Sequence, residues 1–141
     1  VGIIFGILSH TSGKIIMLSD KKTSLRLAEM LLGGKSGSIK IIGSMERSAL
    51  KEMGNILTGS YLASLSDFSG LNLIASTPVL KISKAKEIMS SAIVSYKLDF
   101  ILAVQATLRI KAEEFAEDIL LILKPETFDM IFKNIVKRVR L

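Results

Sequence analysis

The stretch SALKEMGN, residues 48–55, lies inside the longest helical pattern of the sequence, which runs from about residue 45 to residue 67. Because each residue advances about 100° around a helix, positions three, four and seven apart share one side. Ser48, Glu52 and Asn55 therefore form one polar stripe along this helix. The face predicted to pack lies away from the stripe, and its members are Leu50, Met53, Leu57, Tyr61, Ser64 and Phe68. The sequence thus predicts one long helix whose carboxylate and carboxamide face outward.

Small residues extend the polar stripe along the helix. Gly59 and Ser66 project to the same side as Glu52, and neither has a long side chain. Glycine costs a helix about 1 kcal/mol relative to alanine, and this helix contains both Gly54 and Gly59. We interpret a helix that keeps these glycines and a short outer stripe as a docking surface, with Gly59 and Ser66 in it. An exposed Glu and Asn are ordinary by themselves, so the Glu-x-x-Asn pattern alone is weak.

The rest of the chain divides into strand and helix patterns separated by glycine, proline and polar residues. Strand patterns are short apolar or alternating runs, and helix patterns repeat apolar residues every three or four positions. Pro78 indicates an edge or a bend in its strand, because proline has no backbone N–H to donate. The predicted elements are strands at 1–9 and 14–19 joined by a turn at 9–13, a helix after the N-cap Asp20, the long helix after the N-cap Ser44, a strand at 71–82, a helix at 83–96, a hairpin of strands at 100–111 and 117–124 connected by residues 113–117, and a last helix that begins at Pro125.

Hairpins, rather than repeated strand–helix–strand units, dominate this order of elements. Strands joined by short connections pair in opposite directions. The predicted fold class is therefore mixed α/β, of the α+β type, with a largely antiparallel sheet flanked by helices. Residues 1–141 show no internal boundary and are predicted to form a single domain.

The composition excludes several classes of function. The 141 residues are 49% apolar, and no apolar run approaches the ~18 residues of a membrane helix. The chain has no cysteine and one histidine, so no metal site is predicted, and the lack of cysteine favours a reducing, cytoplasmic location. The net charge is +6, but the basic residues are scattered, so we expect an acidic protein partner rather than nucleic acid or a membrane.

A four-point motif connects the long helix to the strand that follows it. Ser48 is followed after three residues by Glu52, after two more by Asn55, and after another 22 by Pro78. This string resembles the active-site signature of the CheC/CheX/FliY family of phosphatases: Asp or Ser, three residues, Glu, two residues, Asn, 22 residues, Pro. The surrounding segment, LKEMGNILTGSYLASLSDFSGLNLIASTPVL, is similar to the second active-site half of a CheC protein. The similarity runs nearly from end to end of the chain.

The resemblance implies hydrolysis of the aspartyl phosphate on a CheY-type chemotaxis response regulator. Asn55 would then position the attacking water, as Gln does in GTPases, and Glu52 would pair with a lysine of the regulator. Ser48 and Pro78 would be supporting residues. The protein would need no cofactor of its own, because the Mg²⁺ is expected on the regulator.

The resemblance also leaves alternatives open. The CheC proteins that this sequence resembles have two pseudo-symmetric halves, each with a Glu-x-x-Asn helix. This sequence contains one such helix, and it begins at Val1. We therefore expect the domain to lack an N-terminal helix and strand of the full family fold. A chain with one site is alternatively a non-catalytic adaptor that binds the receptor deamidase CheD, or a component of the flagellar switch. The oligomeric state is open.

Overall fold

The structure is a computed structural model that describes residues 1–8, 13–93, 101–110 and 112–139, with the side chains of residues 101–106 left out. The elements in chain order are β1 (Gly2–Leu8), β2 (Gly13–Leu18), α1 (Lys21–Leu31), α2 (Ser44–Ser69), β3 (Ile74–Ala75), β4 (Val79–Lys81), α3 (Ala85–Ile93), β5 (Ile101–Ile110), β6 (Glu113–Leu123) and α4 (Pro125–Val139). The predicted turn at 9–13, the predicted helix beyond residue 93 and the predicted side-chain alternation before residue 107 lie outside the described residues, except that Gly13 begins β2.

The six strands form one sheet in the order β3-β1-β2-β6-β5, and β4 also pairs with β1. Every pairing in this sheet is antiparallel. Helices lie on both faces of it, so the predicted fold class is confirmed.

The two faces of the sheet carry two separate apolar clusters. Alternate residues of a strand point to opposite faces, so Phe5 and Ile15 pack toward one side while Ile16 and Ile122 pack toward the other. Helices α1, α2 and α4 cover the first face, with contributions such as Leu50 of α2. Helix α3 covers the second face. The long helix is thus one of three packed side by side on the larger core.

The N-termini of α1 and α2 differ in how they are capped. The carboxylate of Asp20 accepts a hydrogen bond from the backbone N–H of Thr23 at 2.7 Å, so its predicted role as the N-cap of α1 is confirmed. The predicted N-cap of α2 is wrong, because Ser44 is already helical and Gly43 is the cap. The carboxylate of Glu46 accepts the Gly43 N–H at 2.8 Å, which is the glutamate half of a capping box, and Gly43 has no side chain to supply the other half.

The predicted strand at 71–82 is divided into β3 and β4 by a bulge. Ala75 faces Ile7, and Val79 faces Ile4, so three residues on this strand, 76–78, oppose two on β1. Ser76 holds the bulge, because its N–H donates to the Gly6 carbonyl and its Oγ accepts the Gly6 N–H, both at 2.8 Å. Pro78 therefore lies in a bend at the sheet edge, as its missing N–H predicted.

The predicted connection at 113–117 is instead the first half of β6. These residues pair with 106–110 of β5. Phe115 and Glu117 are buried while Glu114 and Ala116 are exposed, which is the alternation of a half-buried strand. The charged side chains hid this pattern in the sequence. Glu114 uses its charge across the hairpin, where it accepts from Arg109 Nε at 3.0 Å.

The packing face of α2 rotates along the helix. Its buried residues are Leu50, Gly54, Thr58, Leu62 and Ser69. The first four are spaced by four residues, or about 400°, so the line of contact drifts by about 40° at each of these steps. The prediction that Ser64 and Phe68 belong to the packing face is therefore wrong, and both are exposed. The prediction holds for Leu50, Met53, Leu57 and Tyr61, which are buried or packed against the core.

Candidate functional site

Glu52 and Asn55 lie one turn apart on α2, and both side chains are exposed. The predicted outward orientation of this carboxylate and this carboxamide is therefore observed. Within the part of the chain that the structure describes, neither side chain makes a hydrogen bond or an ion pair. The carboxylate can accept hydrogen bonds and the amide can both donate and accept them. Both groups are thus available to a molecule that approaches α2 from solvent.

Close packing at Gly54 fixes the direction in which these two side chains point. Gly54 is buried, and a Cβ atom added there would lie 3.2 Å from both Ile3 Cδ1 and Phe5 Cζ. Glycine lets the helix approach the sheet at this position. Gly54 lies on the opposite side of α2 from Glu52 and Asn55. Gly54 is therefore a packing residue, and its presence in the helix does not by itself indicate a docking surface.

An apolar groove of about 270 Å³ lies directly beside Glu52. It runs between the end of α1 and the N-terminal half of α2. We call it the Glu52 groove, and its lining residues are Leu31, Ala49, Glu52, Met53, Ile56 and Leu57. Ile56 is 62% exposed, and Met45, one turn before Ala49, is 66% exposed. The carboxylate of Glu52 therefore stands at the edge of an apolar surface.

The sequence-based reading missed this apolar surface, although part of its signal was present. With Glu52 as the origin, Met45 projects at about 20° and Ile56 at about 40° around the helix. The outward face of α2 is thus apolar on one flank, and the helical projection alone could have found it. The contribution of Leu31 comes from α1, and no local pattern predicts that contact.

Of the remaining residues of the predicted site, Ser48 and Gly59 share the open face of α2, whereas Ser66 and Pro78 do not. Ser48 is exposed one turn before Glu52 on the same face. Gly59 is exposed, and a Cβ atom added there would meet nothing within 4 Å. Ser66 is half-buried, and its Oγ accepts the backbone N–H of Leu73 at 3.0 Å, so it ties the end of α2 to the segment that follows. Pro78 is half-buried in the bulge and does not line the Glu52 groove. The structure thus brings Ser48, Glu52, Asn55 and Gly59 onto one open face.

A larger cleft of about 650 Å³ lies along α1 and the 36–40 loop, but its central polar groups are engaged. The carboxylate of Glu29 accepts the N–H groups of Ile39 at 2.9 Å and Gly37 at 3.1 Å. These bonds, that of Ile39 first, hold the pKa of Glu29 below its usual value. Arg26 links Glu29 to Glu113 on β6. This arrangement anchors the loop after α1, and we assign it a structural role.

One buried carboxyl group lies in the sheet, away from the open face of α2. Glu117 is 2% exposed, and its Oε1 has no hydrogen-bond partner. Burial raises the pKa of Glu117 to about 7, against smaller opposing effects of the Ser19 hydroxyl and the Val1 ammonium.

The described ranges contain neither a cluster of metal-binding side chains nor a helix that could cross a membrane. No group of three or more His, Cys, Asp or Glu side chains there could hold a metal ion. No described helix is long and apolar enough to cross a membrane.

The fold of this chain is that of FliY and CheX proteins. FliY of Thermotoga maritima matches 96% of this chain and 71% of its own, with a TM-score of 0.72 at 17% identity. CheX of Borrelia burgdorferi, in its CheX–CheY–BeF₃–Mg²⁺ complex, matches 87% of this chain and 75% of its own, with a TM-score of 0.62 at 17% identity. CheX of Desulfovibrio desulfuricans matches 87% of this chain and 73% of its own, with a TM-score of 0.59 at 20% identity.

The sequence comparisons fall on the segment that carries the site. Residues 45–82 match the CheC-like family. CheC1 of Halobacterium salinarum, which is named as a candidate CheY-P phosphatase, is 28% identical over 93 residues, or 66% of this chain and 48% of that protein. The chain thus spans about half the length of this curated relative. Sequence and fold together confirm the resemblance to the CheC/CheX/FliY family.

Proposed function

We propose that this protein is a phosphatase that hydrolyses the aspartyl phosphate of a CheY-type chemotaxis response regulator. The observation that carries the proposal is an exposed carboxylate and an exposed carboxamide, Glu52 and Asn55, one turn apart on α2. They lie in the segment that matches the CheC-like family, and the described residues give neither of them a partner. The name of the Halobacterium relative supports the same substrate. The crystallised CheX–CheY complex of the Borrelia protein supports the same class of partner.

The hydrolysis requires no covalent bond between the phosphatase and the phosphoryl group. Water attacks the phosphorus atom in line with the aspartyl oxygen, the P–O bond to that oxygen breaks, and its electron pair stays on the aspartate carboxylate. Both protons of the water end on the inorganic phosphate. The leaving group is a carboxylate, which needs no general acid. The Mg²⁺ that stabilises the phosphoryl charge is expected on the regulator, so what this protein supplies is position.

Asn55 supplies the position of the water. Its carboxamide oxygen accepts a hydrogen bond from the water, and its NH₂ group donates hydrogen bonds toward the phosphoryl oxygens. A neutral amide does this over a wide pH range without a shifted pKa. The open face of α2 lets the amide reach into the partner's active site.

Glu52 supplies the register of docking. Its carboxylate pairs with the lysine of the regulator's active site, and a charge-assisted hydrogen bond of this kind fixes both distance and direction. The spacing of three residues then sets Asn55 beside the phosphoryl group. Ser48 acts at the rim of the site. Pro78 supports the site from the bulge between β3 and β4.

Catalytic turnover tests the proposal against the adaptor alternative. Radiolabelled phospho-regulator is mixed with one-tenth of its concentration of this protein, and loss of label is followed over time. We expect each protein molecule to discharge several regulators. A loss of label that needs equal concentrations, or no acceleration at all, would support a non-catalytic partner of CheD or of the flagellar switch instead.

A charge-neutral variant tests the docking role within the same assay. Glu52→Gln keeps the size of the side chain and removes its charge, so we expect KM for the phospho-regulator to rise and the rate to fall. Glu126→Gln is the matched control, because Glu126 is also an exposed helical glutamate. Equal behaviour of the two variants would remove Glu52 from the proposed site.

A further inference from the structure

The Glu52 groove leaves large apolar side chains in solvent. Met45 and Ile56 are each about two-thirds exposed, and Leu31 and Leu32 at the end of α1 are also exposed. Scattered apolar residues are normal on a protein surface, but neighbouring ones around a groove indicate an interaction site. Here Leu31 and Ile56 line a cavity of about 270 Å³.

Glu52 stands on the boundary between two kinds of surface. On one flank of the helix are Ser48, Asn55 and Gly59, which are polar or small. On the other flank are the apolar Met45 and Ile56, of which Ile56 lines the groove between α1 and α2. A partner that reaches both Glu52 and Asn55 from solvent must lie over this boundary.

The carboxylates of α2 indicate which charge a complementary partner presents at the groove. Of the three carboxylates on this helix, Glu46 is bonded to the backbone of Gly43 and Asp67 lies at the far end, about 22 Å along the axis from Glu52. Glu52 is the carboxylate at the groove. A complementary partner presents a cation beside an apolar surface.

We propose that the Glu52 groove receives an apolar surface of the phosphorylated response regulator next to its active site, with Ile56 in the groove and Met45, one turn before the groove residue Ala49, as the main contacts. This inference rests on the proposed function and adds an orientation to it. The lysine of the regulator lies on Glu52, its phosphoryl group lies toward Asn55, and its apolar surface lies toward α1. Two buried side chains near the centre of an interface commonly carry much of its affinity.

Kinetics of matched variants test the groove. Ile56→Gln and Met45→Gln each remove an apolar contact without disturbing the core, and we expect each to raise KM for the phospho-regulator about five- to tenfold with kcat within about twofold. Phe68→Gln is the control, because Phe68 is 63% exposed on the same helix but about 18 Å from Ile56. We expect it to leave KM unchanged. An unchanged KM in both groove variants, or an equal rise in Phe68→Gln, would overturn the inference.

Direct binding separates this inference from the proposed function. The probe is the regulator loaded with beryllofluoride and Mg²⁺, titrated against the wild type and Ile56→Gln. If the wild type binds but has no turnover, and Ile56→Gln binds at least fivefold more weakly, the groove is a docking surface although the phosphatase proposal fails. If Ile56→Gln binds as tightly as the wild type, the groove inference fails even where turnover is observed. Sedimentation gives the remaining outcome: a wild-type dimer that Ile56→Gln converts to a monomer would assign the groove to a second copy of this chain and overturn the proposal.

Discussion

The two halves of α2 border apolar grooves of nearly equal size but differ in what surrounds them. The N-terminal half borders the Glu52 groove of about 270 Å³. The C-terminal half borders a groove of about 260 Å³, which is lined by Asp67, Phe68, Ile135, Arg138 and Val139. Ile56 in the first half and Phe68 in the second are equally exposed. Neither apolar exposure nor cavity volume distinguishes the two regions.

The polar groups of the two halves are used differently. In the C-terminal half, Asn134 Nδ2 donates to the Ser69 carbonyl at 2.7 Å, the Arg138 guanidinium donates to the Asp67 carbonyl, and Ser66 holds the Leu73 N–H. These bonds close the end of the helix against α4. In the N-terminal half, Glu52 and Asn55 have no such bonds within the described residues. The comparison teaches that polar side chains left available beside an apolar groove, rather than the groove alone, mark the candidate site.

Two asparagine variants give the largest expected effect on this comparison. We expect Asn55→Ala to lower kcat for the phospho-regulator by about 100-fold, because the water loses the group that orients it. Its unfolding free energy should stay within about 0.5 kcal/mol of the wild type, since the side chain is exposed. Asn134→Ala should do the reverse, with an unchanged kcat and a loss of about 1 kcal/mol as the Ser69 carbonyl loses its donor. Denaturant titration and the turnover assay measure both, and the comparison breaks if Asn134→Ala lowers kcat as much as Asn55→Ala does.

A bulky substitution at Gly54 should destabilise the packing of α2 on the sheet. Gly54→Val forces atoms into Ile3 and Phe5, which already lie 3.2 Å from an ideal Cβ, and we expect it to lower the unfolding free energy by about 1–3 kcal/mol. The rate should fall as well, because a displaced helix misdirects Asn55. Gly59→Val is the matched control, since Gly59 is a glycine on the same helix where an added Cβ atom would meet nothing within 4 Å. Equal losses in the two variants, measured by urea denaturation, would show that valine itself, rather than packing against Ile3 and Phe5, explains the effect.

Glu117 should make the stability of the protein depend on pH. Its folded pKa of about 7 lies above the ordinary value of 4.5, so the folded protein holds a proton that the unfolded chain has lost. The contribution of Glu117 to the free energy of unfolding is fully present below about pH 4.5. It falls by up to about 3 kcal/mol as the pH rises to about 7. Glu117→Gln should flatten this slope between about pH 4.5 and pH 7, whereas the exposed Glu126→Gln should not. A wild-type slope that persists in Glu117→Gln would assign the pH dependence to other groups.

Much of the fold follows from local patterns, because each pattern reports a local preference. The Asp20 cap, the opening of α4 at Pro125 and the apolar alternation in the strands all depend on residues close in sequence. The bend at Pro78 follows from its missing N–H. The outward orientation of Glu52 and Asn55 follows from the helical period alone.

The errors arise where a distant element decides the outcome. The drift of the packing face along α2 depends on how the helix lies on the sheet, and it turns Phe68 outward and Ser66 toward Leu73. The strand at 113–117 forms because β5 pairs with it, although its sequence is rich in charge. The wall of the Glu52 groove needs Leu31 from α1. Such contacts join residues far apart in the chain, and a local pattern does not contain them.

The smallest expected effect belongs to Gly59, whose open surroundings contrast with the close packing around Gly54, five residues earlier on α2. A Cβ atom at Gly59 would meet nothing within 4 Å, so Gly59→Ala should raise the unfolding free energy by about 1 kcal/mol through helix propensity, or the Tm by about 4 °C. Its effect on KM decides whether the small residue is needed for docking. A severalfold rise in KM together with the gain in stability would mean that the regulator lies directly over Gly59. An unchanged KM would confine the docking surface to the helix between Met45 and Ile56, because a methyl group on the open face two turns from Glu52 would then touch nothing in the complex either.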